Sequence, residues 1–62
     1  MNNPNQIALK KAHQIIDEIS QFYNEEVSHI IKQVEDNYIL EISSPVISRY
    51  SINKYGEFKK IL

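Results

Sequence analysis

The stretch from Arg49 to Leu62 reads RYSINKYGEFKKIL and contains the only glycine in the chain, Gly56. Between Ile52 and Phe58 the residues Asn-Lys-Tyr-Gly-Glu fit a hairpin loop of four or five residues. Glycine reaches the positive φ angle that such a loop requires without steric cost. The stretch therefore predicts a closing β-hairpin, in which Phe58 continues the core-facing side set by Tyr50 and Ile52.

The residues before this hairpin carry further strand signals. The run VSHIIKQVED is rich in β-branched residues, and it leads into Asp36-Asn37, a pair that favours turns. The next run, YILEIS, alternates, so that Tyr38, Leu40 and Ile42 share one face. The proline of Ser44-Pro45 then interrupts the ladder because it has no N–H to donate. The predicted strands cover residues 27–35, 38–43, 46–53 and 57–62.

The first half of the chain has the period of a helix rather than that of a strand. Asn3 followed by Pro4 is typical of an N-cap and a first helical turn, and Asn24 is a plausible stop. Apolar residues recur between these points at spacings of three and four, which predicts a helix over residues 4–23 with one apolar face. The members of that face are Ala8, Ala12, Ile15, Ile16, Ile19, Phe22 and Tyr23. A helical dimer would use the same spacing, but the pattern is shorter than the three to four heptads of a coiled coil.

The predicted architecture is an α+β fold in a single domain, residues 1–62. One N-terminal amphipathic helix packs on one face of an antiparallel meander with three or four strands. The opposite face of this sheet is partly apolar, and we expect it to bind another protein or a second copy of the chain. Its candidate residues, together with the hairpin tip, are Ile39, Glu41, Ile47, Arg49, Tyr55, Lys59 and Ile61.

Composition narrows the possible functions. The chain has no cysteine, which excludes disulfides and thiolate metal sites, and its formal net charge of −1 offers no cationic footprint for nucleic acid. No run approaches the roughly 20 apolar residues of a membrane span, and the N-terminus has no signal-peptide pattern. We therefore expect a cytoplasmic protein that neither inserts into membranes nor binds nucleic acid.

Catalytic patterns are missing from the sequence. His13 lies at the border of the helical stripe and His29 on the first strand, so the two do not form a metal-binding helix motif. Serines have no glycine elbow around them, and no glycine-rich loop exists to bind phosphate. Tyrosines that would stack on nucleotide bases fall mainly on the core side, with only Tyr55 clearly available. We expect no enzymatic activity, no cofactor and no metal.

The order of motifs resembles a known family. A helix reading ALKKAHQIIDEI is followed by a strand that opens at Val27-Ser28, by the strand Tyr-Ile-Leu-Glu-Ile, and by a terminal hairpin. This order resembles the small domain of the gas vesicle protein O family, and it is also similar to the PepSY domain. The matching positions are Glu41, Tyr50, Ile52, Asn53, Gly56 and Glu57. The first resemblance implies a non-enzymatic accessory protein in gas vesicle assembly, and the second a small binding or inhibitory module.

Sequence patterns and resemblances converge on a protein-interaction module. The alternative is a regulatory domain that senses a small molecule. That function requires a concave pocket where the helix meets the sheet, although a domain of this size has little room for one.

Overall fold

A computed structural model describes the backbone of residues 4–62 and the side chains from residue 6 onward. It contains one helix and four strands, in agreement with the predicted α+β fold, and settles the number of strands at four. The elements are α1 (Pro4–Tyr23), β1 (Ser28–Val34), β2 (Asn37–Ser44), β3 (Ser48–Ile52) and β4 (Phe58–Lys60). The predicted cap at Asn3 lies outside the described residues.

The sheet is an antiparallel meander in the order β1-β2-β3-β4. Its register places Leu40 between Ile31 of β1 and Tyr50 of β3, and it places Ile52 opposite Phe58 of β4. Since facing residues of antiparallel strands point to the same side, these five side chains share one face of the sheet. That face carries the core.

The core lies between α1 and this inner face. Its buried members are Ala8, Ala12, Ile15, Tyr38, Leu40, Ile42 and Ile52. Both alanines have no exposed surface, because a side chain of one methyl group lets the helix backbone approach the sheet closely. The predicted face of the helix is confirmed as far as Ile19, which is half-buried and packs against the core.

Beyond Ile19 the predicted apolar face is wrong. Phe22 is 81% exposed and Tyr23 is also exposed, and their rings pack edge to face at 5.0 Å between centroids. The reason is length: a 20-residue helix spans about 30 Å, whereas the strands on which it packs span about 27 Å (β2) and about 17 Å (β3). The contacts of α1 with the core accordingly end at Ile19.

The connections between elements contain residues that tolerate a positive φ angle, with one exception. Asn24 ends α1 at φ 54°, and Gly56 supplies φ 82° in the closing hairpin, as predicted. The exception is the first hairpin, where Glu35 has φ 57° and Val34 pairs directly with Asn37. The turn is therefore Glu35-Asp36, and Asn37, which we predicted to lie in the turn, belongs to β2.

Asn53 organises the closing hairpin. Its side-chain Oδ1 accepts hydrogen bonds from the amides of Tyr55 and Glu57 at 2.9 and 3.0 Å, and its Nδ2 donates to the Glu57 carboxylate at 2.8 Å. The Gly56 amide donates to the Asn53 carbonyl at 3.0 Å. These bonds give the loop one conformation and hold β4 against β3.

β4 is shorter than predicted and covers less of the core. Phe58 lies on the predicted side, but it is 52% exposed and its ring lies 5.5 Å from the Lys11 ammonium. At the other end of β3, the Ser48 hydroxyl is buried without a hydrogen-bond partner among the described residues. An unsatisfied buried hydroxyl costs about 1–3 kcal/mol, so this end of the sheet is less stable than its centre.

Candidate functional site

The face of the sheet that points away from α1 is called the outer face here. Its centre is built by two rows of facing residues that cross the strands. One row runs from Ile30 through Glu41 to Arg49, and the other runs through Lys32, Ile39, Ser51 and Lys59. The described part of the chain has only one helix, which packs on the inner face, so no helix covers the outer one.

An ion-pair network occupies the middle of the outer face. Glu41 contacts two cations: its Oε1 lies 3.3 Å from Lys32 Nζ, and its Oε2 lies 3.1 Å from Arg49 Nε. All three groups keep contact with water, so the pairs contribute little to stability, about 0–1 kcal/mol each. Their geometry brings two basic side chains, from the strands on either side of β2, to one carboxylate.

Aliphatic side chains surround this network, most densely at one end of the sheet. Ile47, which precedes β3, is 73% exposed, and Ile30 of β1 is 59% exposed. The Ile61 amide donates to the Arg49 carbonyl at 2.8 Å, so Ile61 continues the outer face beyond β4. A shallow groove of about 200 Å³ lies between Ile30, Ile47 and Leu62 and reaches Glu41 and Arg49.

The structure brings most of the sequence-predicted surface together. Glu41 and Arg49 meet in the ion-pair network, Ile39 and Lys59 share the second row, and Ile47 and Ile61 lie at the apolar end. Tyr55 does not join them, because it lies at the tip of the closing hairpin and faces the first half of α1.

Three members of the outer face were missed in the sequence. They are Ile30, Lys32 and Val34. The three on β1 share one parity, which is the signal that was available. It was obscured because Ile30 and Ile31 are adjacent, so that the strand does not alternate cleanly between apolar and polar residues.

A second concave region lies on the other side of the molecule. It has a volume of about 600 Å³ and is lined by Gln6, Ile7, Lys10, Lys11, Gln14, Tyr55 and Gly56. This helix–hairpin groove corrects the expectation that so small a domain has little room for a pocket. It is open to solvent, and its two lysines make it cationic.

The two histidines come together across the fold. The rings of His13 on α1 and His29 on β1 lie 6.4 Å apart between centroids, edge to face. Within the described residues, no cluster of three or more histidine, cysteine, aspartate or glutamate side chains is arranged to bind a metal. The pair alone supplies two ligands, fewer than the three or four protein ligands of zinc sites.

No helix in the described part of the chain combines the length and apolarity that crossing a bilayer requires. Comparison with protein-family models finds no match, and comparisons with curated proteins and with solved structures find none either. The resemblances to the gas vesicle protein O family and to the PepSY domain stay predictions.

Proposed function

We propose that this chain is a small protein-interaction module without chemistry of its own, and that it docks its partner on the outer face. The observation that carries the proposal is the uncovered sheet face, on which exposed aliphatic side chains flank a fixed ion-pair network. Scattered surface aliphatics are normal, but Ile30, Ile47 and Leu62 line one groove. An exposed apolar group that borders polar residues, as this groove borders Glu41 and Arg49, is typical of a docking site.

The charges of the outer face define the partner. Three cations, Lys32, Arg49 and Lys59, lie there with the carboxylate of Glu41, and Glu57 adds a second carboxylate beside Lys59 at the closing hairpin. Glu41 is already shared by two of the cations, so the face keeps an excess of positive charge. We therefore expect the partner to be a protein that places an apolar side chain in the groove and carboxylates opposite Arg49 and Lys59.

Site-specific photo-crosslinking tests this assignment. A photoreactive amino acid is placed at Ile47 on the outer face and, as the matched control, at Glu18 on the exposed side of α1. We expect one dominant protein adduct from position 47 and none from position 18. Because the partner is expected to be acidic, Lys59→Glu should reduce the adduct at position 47 by at least severalfold.

Two outcomes would contradict the proposal. Equal adducts from positions 47 and 18 would mean that capture reflects exposure alone. If Lys59→Glu leaves the adduct at position 47 unchanged, binding of the partner does not depend on the positive charge of the outer face.

The family resemblances refine this proposal. Membership of the gas vesicle protein O family would make the partner a component of vesicle assembly, and a PepSY-like role would make it a protein that is bound or inhibited. Either role is compatible with docking through the outer face. We also propose a cytoplasmic location, which is the compartment in which a gas vesicle accessory protein acts.

A second candidate function is binding of a small anion, favoured by the helix–hairpin groove. Its volume lies in the range of ligand sites, and Lys10 on its wall has no carboxylate within ion-pair distance among the described residues. The test is an NMR titration with pyrophosphate and citrate. We expect saturable shifts of the Gly56 amide that Lys10→Gln abolishes and Lys32→Gln preserves; shifts that do not saturate would contradict this function.

A further inference from the structure

The strand β1 forms a long edge of the sheet, and among the described residues only β2 pairs with it. It has seven residues and pairs only with β2, whereas the opposite edge, β4, has three residues. An edge strand leaves every second backbone N–H and C=O without a strand partner, which makes it a template for another strand. β1 contains neither proline nor glycine.

Edge strands are commonly protected by a charged side chain, and β1 has one candidate, Lys32. Its ammonium group lies 3.3 Å from Glu41 on β2, which is the interior side of the strand. The charge is thus held over the sheet and does not project beyond the edge. Of the remaining outer-face residues of β1, Ile30 and Val34 are aliphatic and exposed, and Ser28 is polar.

We propose that β1 pairs antiparallel with β1 of a second copy, giving a two-fold dimer with one continuous eight-stranded sheet. In such a dimer both helices lie on the same side of the sheet, because the two-fold axis is perpendicular to it. Inner-face residues then pair with inner-face residues. This requires the two-fold axis to pass between one residue and the same residue of the second copy, and not between two successive residues. The candidates are Ile30, Ile31 and Lys32.

The register centred on Ile31 is the favoured one. It aligns all seven residues, with Ile31 opposite its symmetry mate, Ile30 opposite Lys32 of the partner copy, and Ser28 opposite Val34. Centring the axis on Lys32 would place two ammonium groups directly opposite each other, which is destabilising. Centring it on Ile30 shortens the paired segment and gives up backbone hydrogen bonds.

A second copy is a better occupant than an unrelated strand for two reasons. The favoured register opposes no like charges within β1, since its single cation faces an aliphatic residue. The small core also leaves large apolar side chains exposed, among them Ile30 and Val34 at this edge, and a closed two-fold pairing covers part of that surface. This inference is independent of the partner proposed for the outer face, which stays open in the dimer.

The absence of cysteine from the chain makes disulfide mapping a clean test. Under mild oxidation we expect Ile31→Cys to form a covalent dimer, because facing residues have Cα atoms about 4.5–5.5 Å apart, within disulfide range. Val34→Cys is the control: it is more exposed, but its symmetry mate would be about 20 Å away along the strands. A mixture of the Ile30→Cys and Lys32→Cys variants should give a disulfide-linked dimer with one copy of each. This pair tests the same register with outer-face residues, whose substitution does not disturb the core.

Sedimentation equilibrium on the unmodified chain completes the test, and we expect a reversible monomer–dimer equilibrium. A monomer at every concentration, or equal cross-linking of Ile31→Cys and Val34→Cys, would overturn the inference. A dimer that cross-links through Ile47→Cys and not through Ile31→Cys would also overturn it, because the copies would then meet through the outer face. That last result would in addition show that the outer face binds this chain and not an acidic partner, whereas loss of the edge dimer alone leaves the outer-face proposal standing.

Discussion

Replacing Leu40 by alanine is expected to lower the free energy of unfolding by about 2–5 kcal/mol. Leu40 has no exposed surface, and it lies on an interior strand between Ile31 and Tyr50. Truncation removes buried apolar area and leaves a cavity that a sheet held on both sides cannot close. A domain of this size has a total stability near the lower end of about 5–15 kcal/mol, so a large fraction of the variant should be unfolded at room temperature.

Urea unfolding followed by far-ultraviolet circular dichroism measures this effect. The matched control is Ile30→Ala, which removes the same number of carbon atoms from the outer face of the neighbouring strand. There we expect a loss below about 1 kcal/mol, because Ile30 is mostly in contact with water already. Equal losses for the two variants would show that the outer face belongs to a second core.

Replacing Gly56 by alanine is expected to cost about 1–3 kcal/mol, from two separate causes. The residue has φ 82°, a conformation that costs an L-residue about 1–2 kcal/mol. A Cβ atom there would also lie 3.1 Å from Ile7 Cγ2 on α1, so the side chain of Ile7 has to move. Both effects would loosen the hairpin that joins β3 to β4.

A double-mutant cycle separates the two causes. In an Ile7→Ala background the contact with Ile7 Cγ2 is gone. Gly56→Ala should therefore lower the free energy of unfolding by less in that background, and the loss that remains is the cost of the positive φ angle. Lys54→Ala, in the same loop and without a positive φ angle, is the control and should change stability by less than about 0.5 kcal/mol. A Gly56→Ala variant as stable as the parent would contradict the turn geometry.

The fold was largely predictable because each element carries its own local signal. The single glycine and Asn53 mark the closing hairpin, and the alternation of YILEIS assigns Tyr38, Leu40 and Ile42 to the core. The prediction that failed, the apolar face at the end of α1, depends on the length of the helix relative to the strands, which the sequence does not show directly. Phe22 has the correct helical spacing, but it lies on a turn that extends past the short strands.

The candidate site was predictable only in part, for a related reason. The alternation of side chains along each strand is enough to place Ile39, Glu41 and Arg49 on one face. The contact of Lys32 with Glu41, in contrast, depends on the register between β1 and β2. That register is set by a two-residue turn at Glu35, a residue that is uncommon at positive φ and therefore gives no warning in the sequence. The pairing of His13 with His29 likewise depends on how α1 crosses the sheet.

The most direct test of the proposed function is whether the outer face can be charged without loss of the fold. The double variant Ile39→Glu, Ile47→Glu places one new carboxylate opposite Lys32 and the other two residues from Arg49, so each has a cation nearby.

Urea unfolding of this variant is the decisive measurement. We predict a cooperative transition with a free energy of unfolding within about 1 kcal/mol of the parent, together with loss of the photo-crosslinked adduct, read from a photoreactive residue at Ile61 in both parent and variant. A variant with no cooperative transition would contradict the account, because the outer face would then be part of the core and not a free docking surface.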